Sequence, residues 1–258
     1  MQPYPLKQDR GTVCTCYFTY AKDPQRNRMV GLDSYAYISP WYDSMRSLPL
    51  NGRVFHDGLS DEFVARYETD HIKFVRTPAG PYCALDYRWQ VYSRWIQDHK
   101  PEWSLFTDCQ DVVIVNNPFE FINDPEKLYI GREDGYGFAS NRVEDNGWMK
   151  TLYDREARML LRAYESLKAE DVLNCGMVGG HFNQISRFLY LMESLIEAAD
   201  PTDAYFSSIS ARIKTIDMAV ANVICRQKYF KGRIVNGHPL HNRYKRKDLS
   251  TDVYVRHK

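Results

Sequence analysis

The chain alternates between short apolar runs and longer stretches in which apolar residues recur every three or four positions. The short runs predict β-strands over 13–20, 53–55, 71–75 and 103–115. The longer stretches predict helices over 60–67, 87–99, 152–168, 181–198 and 213–225. The first of these helices is predicted to be capped by Ser60, ahead of Asp61 and Glu62. Because strands and helices alternate, the pattern predicts an α/β fold with a mostly parallel central sheet.

Two carboxylates, Asp108 and Asp111, interrupt the last of the apolar runs. Ligands of open parallel sheets bind beyond the carboxyl ends of the strands, so the loops after Tyr20, Phe55 and Phe106 are the first candidate sites. A buried carboxylate without a partner is costly, and a divalent metal shared with a diphosphate would satisfy both aspartates. The alternative is that Asp108 caps a turn and Asp111 pairs with an arginine.

Two further segments place polar groups or glycines beside apolar residues. The glycine-rich stretch 174–180 precedes the helix predicted over 181–198 and is expected to form a turn into that helix. Glycines there would let the backbone approach a ligand, and the helix N-terminus would offer free N–H groups. In the next helix, Asp217 and Asn222 lie beside the apolar stripe, where an acid either caps a neighbouring group or faces a site.

The composition is that of a folded soluble protein, with 258 residues, 44% hydrophobic and 26% charged, and it excludes a mainly disordered chain. The net charge of +1 conceals an asymmetry, because residues 226–258 carry ten basic side chains against two acidic ones. This basic tail indicates an anionic partner, unless it is simply a solvated surface. Within it, His238, His241 and Lys245 are candidates for binding a metal or a diphosphate.

Nothing at the N-terminus resembles a targeting signal, and no stretch approaches the roughly 20 apolar residues that span a bilayer. The six cysteines have neither CxxC nor Cys/His zinc spacing, and most of them lie in apolar stretches. Buried free thiols are typical of a reducing compartment. We therefore expect a cytoplasmic protein without a membrane span.

Several motifs, taken in order, resemble those of GT-A glycosyltransferases, in particular glycogenin-like enzymes and a group with the pattern TDxxDV…NPF. The matching segments are YSRW at 92–95, TDCQDVV at 107–113, NPF at 117–119, NCGMVGG at 174–180, DMAVAN at 217–222 and the histidines of the basic tail. They are similar, respectively, to the YxRW helix, a stretched DxD motif with its NPF continuation, NxGxxGG, DQxxxN and a terminal HxG/K segment. The resemblance covers roughly residues 12–245.

This resemblance implies a fold and its organisation. The fold would be the Rossmann-like GT-A fold, with helices on both faces of the mostly parallel sheet. The chain would form a single domain, with a nucleotide-binding half over 12–115, an acceptor- and sugar-binding half over 116–225 and the basic segment over 226–258.

The resemblance also implies roles for individual residues. Asp108 and Asp111, with His241, would bind Mn²⁺ or Mg²⁺, and Asp217 and Asn222 would lie by the reacting carbon. The donor would be bound by Thr19, Asp23, Arg94, Asn174, Gly179, Gly180, His238 and Lys245. DxD is DxxD here, which leaves open which aspartate ligates the metal, and Met218 stands where the later motif has glutamine.

The implied function is metal-dependent transfer of a sugar from a nucleotide-diphosphate sugar to an acceptor hydroxyl. The basic tail and the 14% aromatic content fit DNA as the acceptor, with a hydroxymethylated base flipped out of the duplex. A bacterial surface polysaccharide or a protein is the alternative acceptor. A further hypothesis is a non-catalytic nucleic-acid-binding module in which the aspartates are structural.

Overall fold

The structure is a computed structural model and describes residues 11–23, 28–81, 83–133, 141–153, 160–198, 215–242 and 251–257. Its strands are β1 (Gly11–Tyr17), β2 (Lys22–Asp23), β3 (Arg28–Met29), β4 (Asn51–His56), β5 (Ile72–Arg76), β6 (Trp103–Thr107), β7 (Val112–Ile114), β8 (Leu128–Arg132), β9 (Leu173–His181), β10 (Ile234–Asn236), β11 (Leu240–Asn242) and β12 (Val255–His257). Its α-helices are α1 (Tyr35–Arg46), α2 (Asp61–Tyr67), α3 (Ala84–His99), α4 (Gly147–Thr151), α5 (Leu161–Leu167), α6 (Phe182–Ala198) and α7 (Asp217–Cys225).

Seven of these strands form a central sheet in the order β10-β8-β9-β6-β1-β4-β5. Within it, β1 pairs in parallel with both β4 and β6, β4 with β5, and β8 with β10, whereas β9 is antiparallel to both of its neighbours. The chain adds β4 and β5 on one side of β1 and then β6 on the other. The strand order therefore reverses between β1 and β6, and a crevice at their carboxyl ends is the expected ligand site.

Side chains of the sheet alternate between two hydrophobic cores, as the period of a strand requires. On β1, Val13 and Tyr17 belong to one core and Cys14 to the other. The Cys14 side is covered by α3, α6 and α7, and the Val13 side by α1, α2 and a second, three-stranded sheet. Helices thus lie on both faces. None of the helices in the described ranges is long and apolar enough to cross a bilayer.

The second sheet joins the end of the chain to the aspartate loop. Its order is β11-β12-β7, and β12 pairs antiparallel with β7. In this register His257 lies opposite Val112, the residue that follows Asp111. The pairing of β12 with β7 therefore places His257 beside the aspartate loop.

Most of the predicted elements are confirmed within a few residues. The N-cap of α2 is confirmed as well, because the Ser60 hydroxyl accepts a hydrogen bond from the Phe63 N–H at 3.1 Å. All six cysteines are free thiols, as predicted, and Cys14, Cys109, Cys175 and Cys225 are buried. The aspartates divide the run 103–115 into β6 and β7, which belong to different sheets.

Three predictions about the C-terminal half need correction. The glycine-rich stretch 174–180 is not a turn but most of β9, a buried strand between β6 and β8. In place of one helix over 152–168, the structure has the short α4 before that range and α5 at its end, while 154–159 lie outside the described residues. The helix predicted from 213 begins at Asp217, and 213 and 214 also lie outside them.

Candidate metal centre and donor pocket

Asp108 and Asp111 lie in the short loop between β6 and β7, at the carboxyl end of β6. The Asp108 N–H donates to the Gly176 carbonyl at 2.8 Å, which ties the loop to β9. The Thr15 hydroxyl donates to the Thr107 carbonyl at 3.1 Å, which ties the end of β6 to β1. The two carboxylates are therefore held where the strand order of the sheet reverses.

The C-terminal strand brings His257 to these aspartates. Its Nε2 lies 3.1 Å from Asp108 Oδ2 and 3.6 Å from Asp111 Oδ1. One ligand atom from each of the three residues lies within 4.8 Å of the other two, and the described ranges contain no other such group of three. Two carboxylates and an imidazole suit a divalent metal ion, and three protein ligands leave coordination positions for phosphate oxygens.

The guanidinium of Arg88, on α3, links this loop to α7. It forms ion pairs with Asp108 and with Asp217, the latter at 2.8 Å. The Thr215 hydroxyl lies 2.8 Å from Asp217 and 2.6 Å from Asp86, and the carboxylate of Asp86 also accepts the Asp217 N–H at 3.0 Å. The side chains of Arg88 and Asp217 are only 6% and 5% exposed. One buried arginine therefore balances carboxylates from two distant parts of the chain.

These contacts change the pKa values of the two central groups. Burial alone would raise the pKa of Asp108, but the charge of Arg88 and the hydrogen bond from His257 hold that pKa well below its usual range. Burial alone would lower the pKa of His257, but its hydrogen bonds to Asp108 and Asp111 and their charges raise it to about 10. A metal ion bound by His257 would have to displace the proton that this raised pKa favours.

A pocket opens beside this group of charges. It is lined by the end of β1, the β2–β3 hairpin, the starts of α1 and α3, and the aspartate loop: Cys16, Phe18, Asp23, Val30, Tyr37, Ala84, Leu85, Arg88, Thr107, Asp108, Cys109, Gln110 and Asp111. An adjoining groove shares four of these residues, Asp23, Val30, Tyr37 and Gln110. Apolar and aromatic walls with a few convergent polar groups are typical of small-molecule sites.

Some of the residues predicted from the sequence meet at this pocket. Asp108, Asp111 and Asp23 line it. Asp217 does not line the pocket but forms an ion pair with Arg88, which does. Thr19 lies just beyond β1, where its N–H donates to the Asp57 carboxylate at 2.7 Å, and it is not among the lining residues.

Asn174, Gly179 and Gly180 all belong to β9 but lie at different distances from the aspartate loop. Asn174 is at the end near the aspartate loop, where its side chain accepts the Gly176 N–H at 2.7 Å and donates to Glu133 at 2.6 Å. Gly179 and Gly180 pair with β6 farther from that loop. A Cβ on Gly179 would lie 2.9 Å from the Ser104 carbonyl oxygen, so this glycine permits close packing within the sheet.

Asn222 lies in the packing between α7 and β9. Its side-chain amide donates to the carbonyls of Leu173 and Met218, and its oxygen accepts from the Leu173 N–H and from Arg226. It is fully buried and lines neither the pocket nor the groove. The structure therefore gives Asn222 a role in joining two elements.

Of the predicted basic contacts, Arg94 and His238 do not line the pocket, and the side chains of His241 and Lys245 fall outside the described residues. Arg94 is on the outer side of α3, in an open groove with Arg187 and Tyr190. His238 is exposed in the turn between β10 and β11. The backbone of His241 lies in β11, but its side chain and the whole of Lys245 fall outside the described residues.

Arg88 and His257 are the residues that sequence reasoning missed. Arg88 has Ala84 and Leu85 one helical turn before it and Val91 and Tyr92 one turn after it, so its spacing places it on the apolar face and would have indicated a buried charge in need of partners. His257 follows Val253 and Val255 in an alternating pattern, which would have indicated a strand with an inward-facing histidine.

No protein-family model and no curated protein matches this sequence. The fold, however, is the GT-A fold of glycosyltransferases. Similar solved structures include the galactosyltransferase LgtC in complex with donor and acceptor sugar analogues, with a TM-score of 0.53, 12% identity, and coverage of 95% of this chain and 86% of that one. An active-site mutant of LgtC gives a TM-score of 0.54 and 13% identity with the same coverage. The predicted fold class is thus confirmed, while the glycogenin-like subgroup stays a prediction.

Proposed function

We propose that this chain is a metal-dependent glycosyltransferase that moves a sugar from a nucleotide-diphosphate sugar to an acceptor hydroxyl. The observation that carries the proposal is the group formed by Asp108, Asp111 and His257. It lies at the edge of a pocket, in a fold shared with a sugar transferase.

Each part of the site has a task in this reaction. A divalent metal bound by the three residues would neutralise charge on the departing diphosphate. Arg88 orients Asp108 through their ion pair, and Asp217 orients Arg88 in turn. Asp23 and the neighbouring aromatic side chains of the pocket would bind the nucleoside and sugar.

Mn²⁺ and Mg²⁺ are both candidate metals, because carboxylate oxygens ligate either ion. We expect Mn²⁺ to bind more tightly, since Mg²⁺ prefers an all-oxygen shell and His257 supplies a nitrogen. The proposal is tested by measuring the unfolding temperature with UDP-, GDP-, ADP- and CDP-sugars, with and without Mn²⁺. A ligand that binds only the folded state raises this temperature.

The proposal predicts that at least one nucleotide sugar stabilises the protein and that Mn²⁺ strengthens the effect. Failure of every nucleotide sugar to do so with either metal would contradict it. Tight DNA binding in the same protein, without any affinity for nucleotide sugars, would instead support the non-catalytic module.

For the acceptor, we propose a hydroxymethylated base in DNA, on the basis of the charge of residues 226–258. Among the described cations of this segment, Arg226 pairs with Glu170 and Arg233 with Glu126. Lys228 and Lys231 are exposed.

The acceptor proposal predicts transfer to DNA that contains hydroxymethylcytosine, with activity that falls steeply between low and moderate salt. Activity on a saccharide or a protein that is insensitive to salt would favour the alternative acceptors. A labelled-sugar transfer assay on the three acceptors, at several salt concentrations, distinguishes these outcomes.

A further inference from the structure

His257 is the candidate metal ligand that comes from a segment far in sequence from the aspartate loop. A histidine that binds a metal is normally oriented by a hydrogen bond made by its other ring nitrogen. The Nδ1 atom of His257 is buried, however, and has no hydrogen-bond partner among the described residues. The position of this imidazole therefore depends on how the backbone of β12 is held, together with the close approach of Gly176.

The segment that carries His257 has little regular structure of its own. β12 has three residues and pairs with β7 on one side and with β11 on the other, and 251–254 before it belong to no strand or helix. Val253 and Val255 are buried, and the Tyr254 ring stacks on Phe121 with centroids 5.8 Å apart. Apolar burial is non-directional, so directional contacts are needed to fix this backbone precisely.

Asn116 provides such contacts. It lies just beyond β7, and its side-chain amide donates to the Thr251 carbonyl at 3.0 Å and to the Val253 carbonyl at 2.7 Å. Its backbone N–H donates to the Tyr254 carbonyl at 3.3 Å, and the N–H of Val115 donates to the same oxygen at 2.8 Å. One residue therefore contacts three carbonyl groups of the segment that leads into β12.

Asn116 also belongs to the stretch of chain that carries the aspartates. β7 follows Asp111 directly and ends shortly before Asn116, so hydrogen bonds from Asn116 fix the histidine segment to the aspartate side of the site. Asn116 is itself exposed. Its replacement should therefore remove these hydrogen bonds without opening a cavity in the core.

We propose that Asn116 is a positioning residue of the metal centre. Its carboxamide fixes the segment before β12 against the end of β7 and so holds the imidazole of His257 where it can share a metal ion with Asp108 and Asp111. This inference rests on the proposed function, because it concerns the group of residues that would bind the metal.

The test is the Mn²⁺ affinity of the full chain, measured during titration from the electron paramagnetic resonance signal of the free ion. Asn116→Ala removes the carboxamide. Asn123→Ala is the matched control, because the side chain of Asn123, in the exposed loop before β8, also donates to a backbone carbonyl, that of Glu120, at 2.7 Å. Both substitutions are then repeated in His257→Ala.

We expect Asn116→Ala to weaken Mn²⁺ binding about fivefold, as the net loss of one hydrogen bond allows, and Asn123→Ala to leave it unchanged. In the His257→Ala protein, Asn116→Ala should have no further effect, because Asn116 acts through the histidine. Without metal, amide hydrogen exchange over 251–257 should be faster in Asn116→Ala than in the wild type and in Asn123→Ala.

Unchanged Mn²⁺ affinity or unchanged exchange in Asn116→Ala, or equal weakening with and without His257, would overturn this inference and leave the proposed function standing. Absence of Mn²⁺ binding by the wild type would overturn the proposed function and this inference with it. The unfolding temperature of each variant without metal reports whether it folds. If Asn116→Ala does not fold, Asn116→Asp replaces it, because an ionised aspartate keeps the shape of the side chain but cannot donate a hydrogen bond.

Discussion

Gly176 of β9 lies directly against the imidazole of His257. A Cβ at position 176 would overlap the imidazole and would lie 2.9 Å from Asn174 Oδ1. The carbonyl of Gly176 also accepts the Asp108 N–H at 2.8 Å. A single residue of β9 therefore supports the aspartate loop and leaves room for the histidine, so that the spacing of the candidate metal ligands depends on a glycine.

We predict that Gly176→Ala weakens Mn²⁺ binding by at least about tenfold, the size of effect seen when groups that orient metal ligands are lost. The added methyl group would displace His257 from Asp108 and Asp111. Calorimetric titration with Mn²⁺ measures the effect. Gly147→Ala is the control, because a Cβ there meets nothing within 4 Å. Equal Mn²⁺ affinities in the two variants would show that Gly176 does not position the histidine.

The structure also predicts which histidine binds the metal. His257→Ala should lower Mn²⁺ affinity by at least about tenfold, because it removes a direct ligand. His238→Ala, at an exposed turn, should leave the affinity nearly unchanged. The opposite ranking in the same titration would contradict His257 as the metal ligand and would favour the earlier histidines of the basic tail, where the sequence-based assignment placed the ligand at His241.

Arg88 is expected to contribute to stability as well as to the site. Arg88→Met leaves the buried Asp217 and the partly buried Asp108 without their common partner, which should lower the free energy of unfolding by about 3 kcal/mol. Arg88→Lys should recover only part of this loss, because one ammonium group cannot bridge both carboxylates. Urea denaturation measures both values, and a loss below about 1 kcal/mol in Arg88→Met would contradict the bridging role.

The raised pKa of Asp86 predicts that the stability of the protein depends on pH. Burial, and then the charge of Asp217, raise its pKa from 3.8 to about 7 in the folded protein. Between these values the folded state retains a proton that the unfolded state has lost. The contribution of Asp86 to stability therefore falls as the pH rises from about 4 to 7, by up to about 1.4 kcal/mol per pH unit.

Asp86→Asn tests this dependence because it keeps one oxygen for the Thr215 hydroxyl and the Asp217 N–H but cannot ionise. The difference in unfolding free energy between the variant and the wild type should change in favour of the variant as the pH rises through this window. Urea denaturation at half-unit intervals from pH 4 to 8 measures it. Parallel profiles for the two proteins would show that Asp86 ionises normally.

Local sequence patterns are sufficient to predict the elements that depend mainly on residues close together in the chain. Ser60 caps α2 as its sequence predicts, and the apolar stripe of α6 is buried against the sheet. The aspartates were identifiable as well, because carboxylates within an apolar run need partners wherever the chain places them.

The parts that were missed depend on contacts between distant segments. The glycine content of 174–180 predicts a turn, yet these glycines allow β9 to pack closely against Ser104 and His257. His257 became a neighbour of Asp111 only through the pairing of β12 with β7. The bridge from Arg88 to Asp217 likewise spans two helices whose packing no local pattern reports.

The most direct test of the central claim is turnover of the stabilising nucleotide sugar by Asp111→Ala. In the presence of Mn²⁺, the wild type should release the nucleoside diphosphate, and Asp98→Ala, at an exposed position of α3, should match it. Asp111→Ala should lose at least roughly 100-fold of this activity, because the metal that stabilises the leaving diphosphate would lose a ligand. Turnover by Asp111→Ala close to that of the wild type would contradict the assignment of a metal-dependent glycosyltransferase.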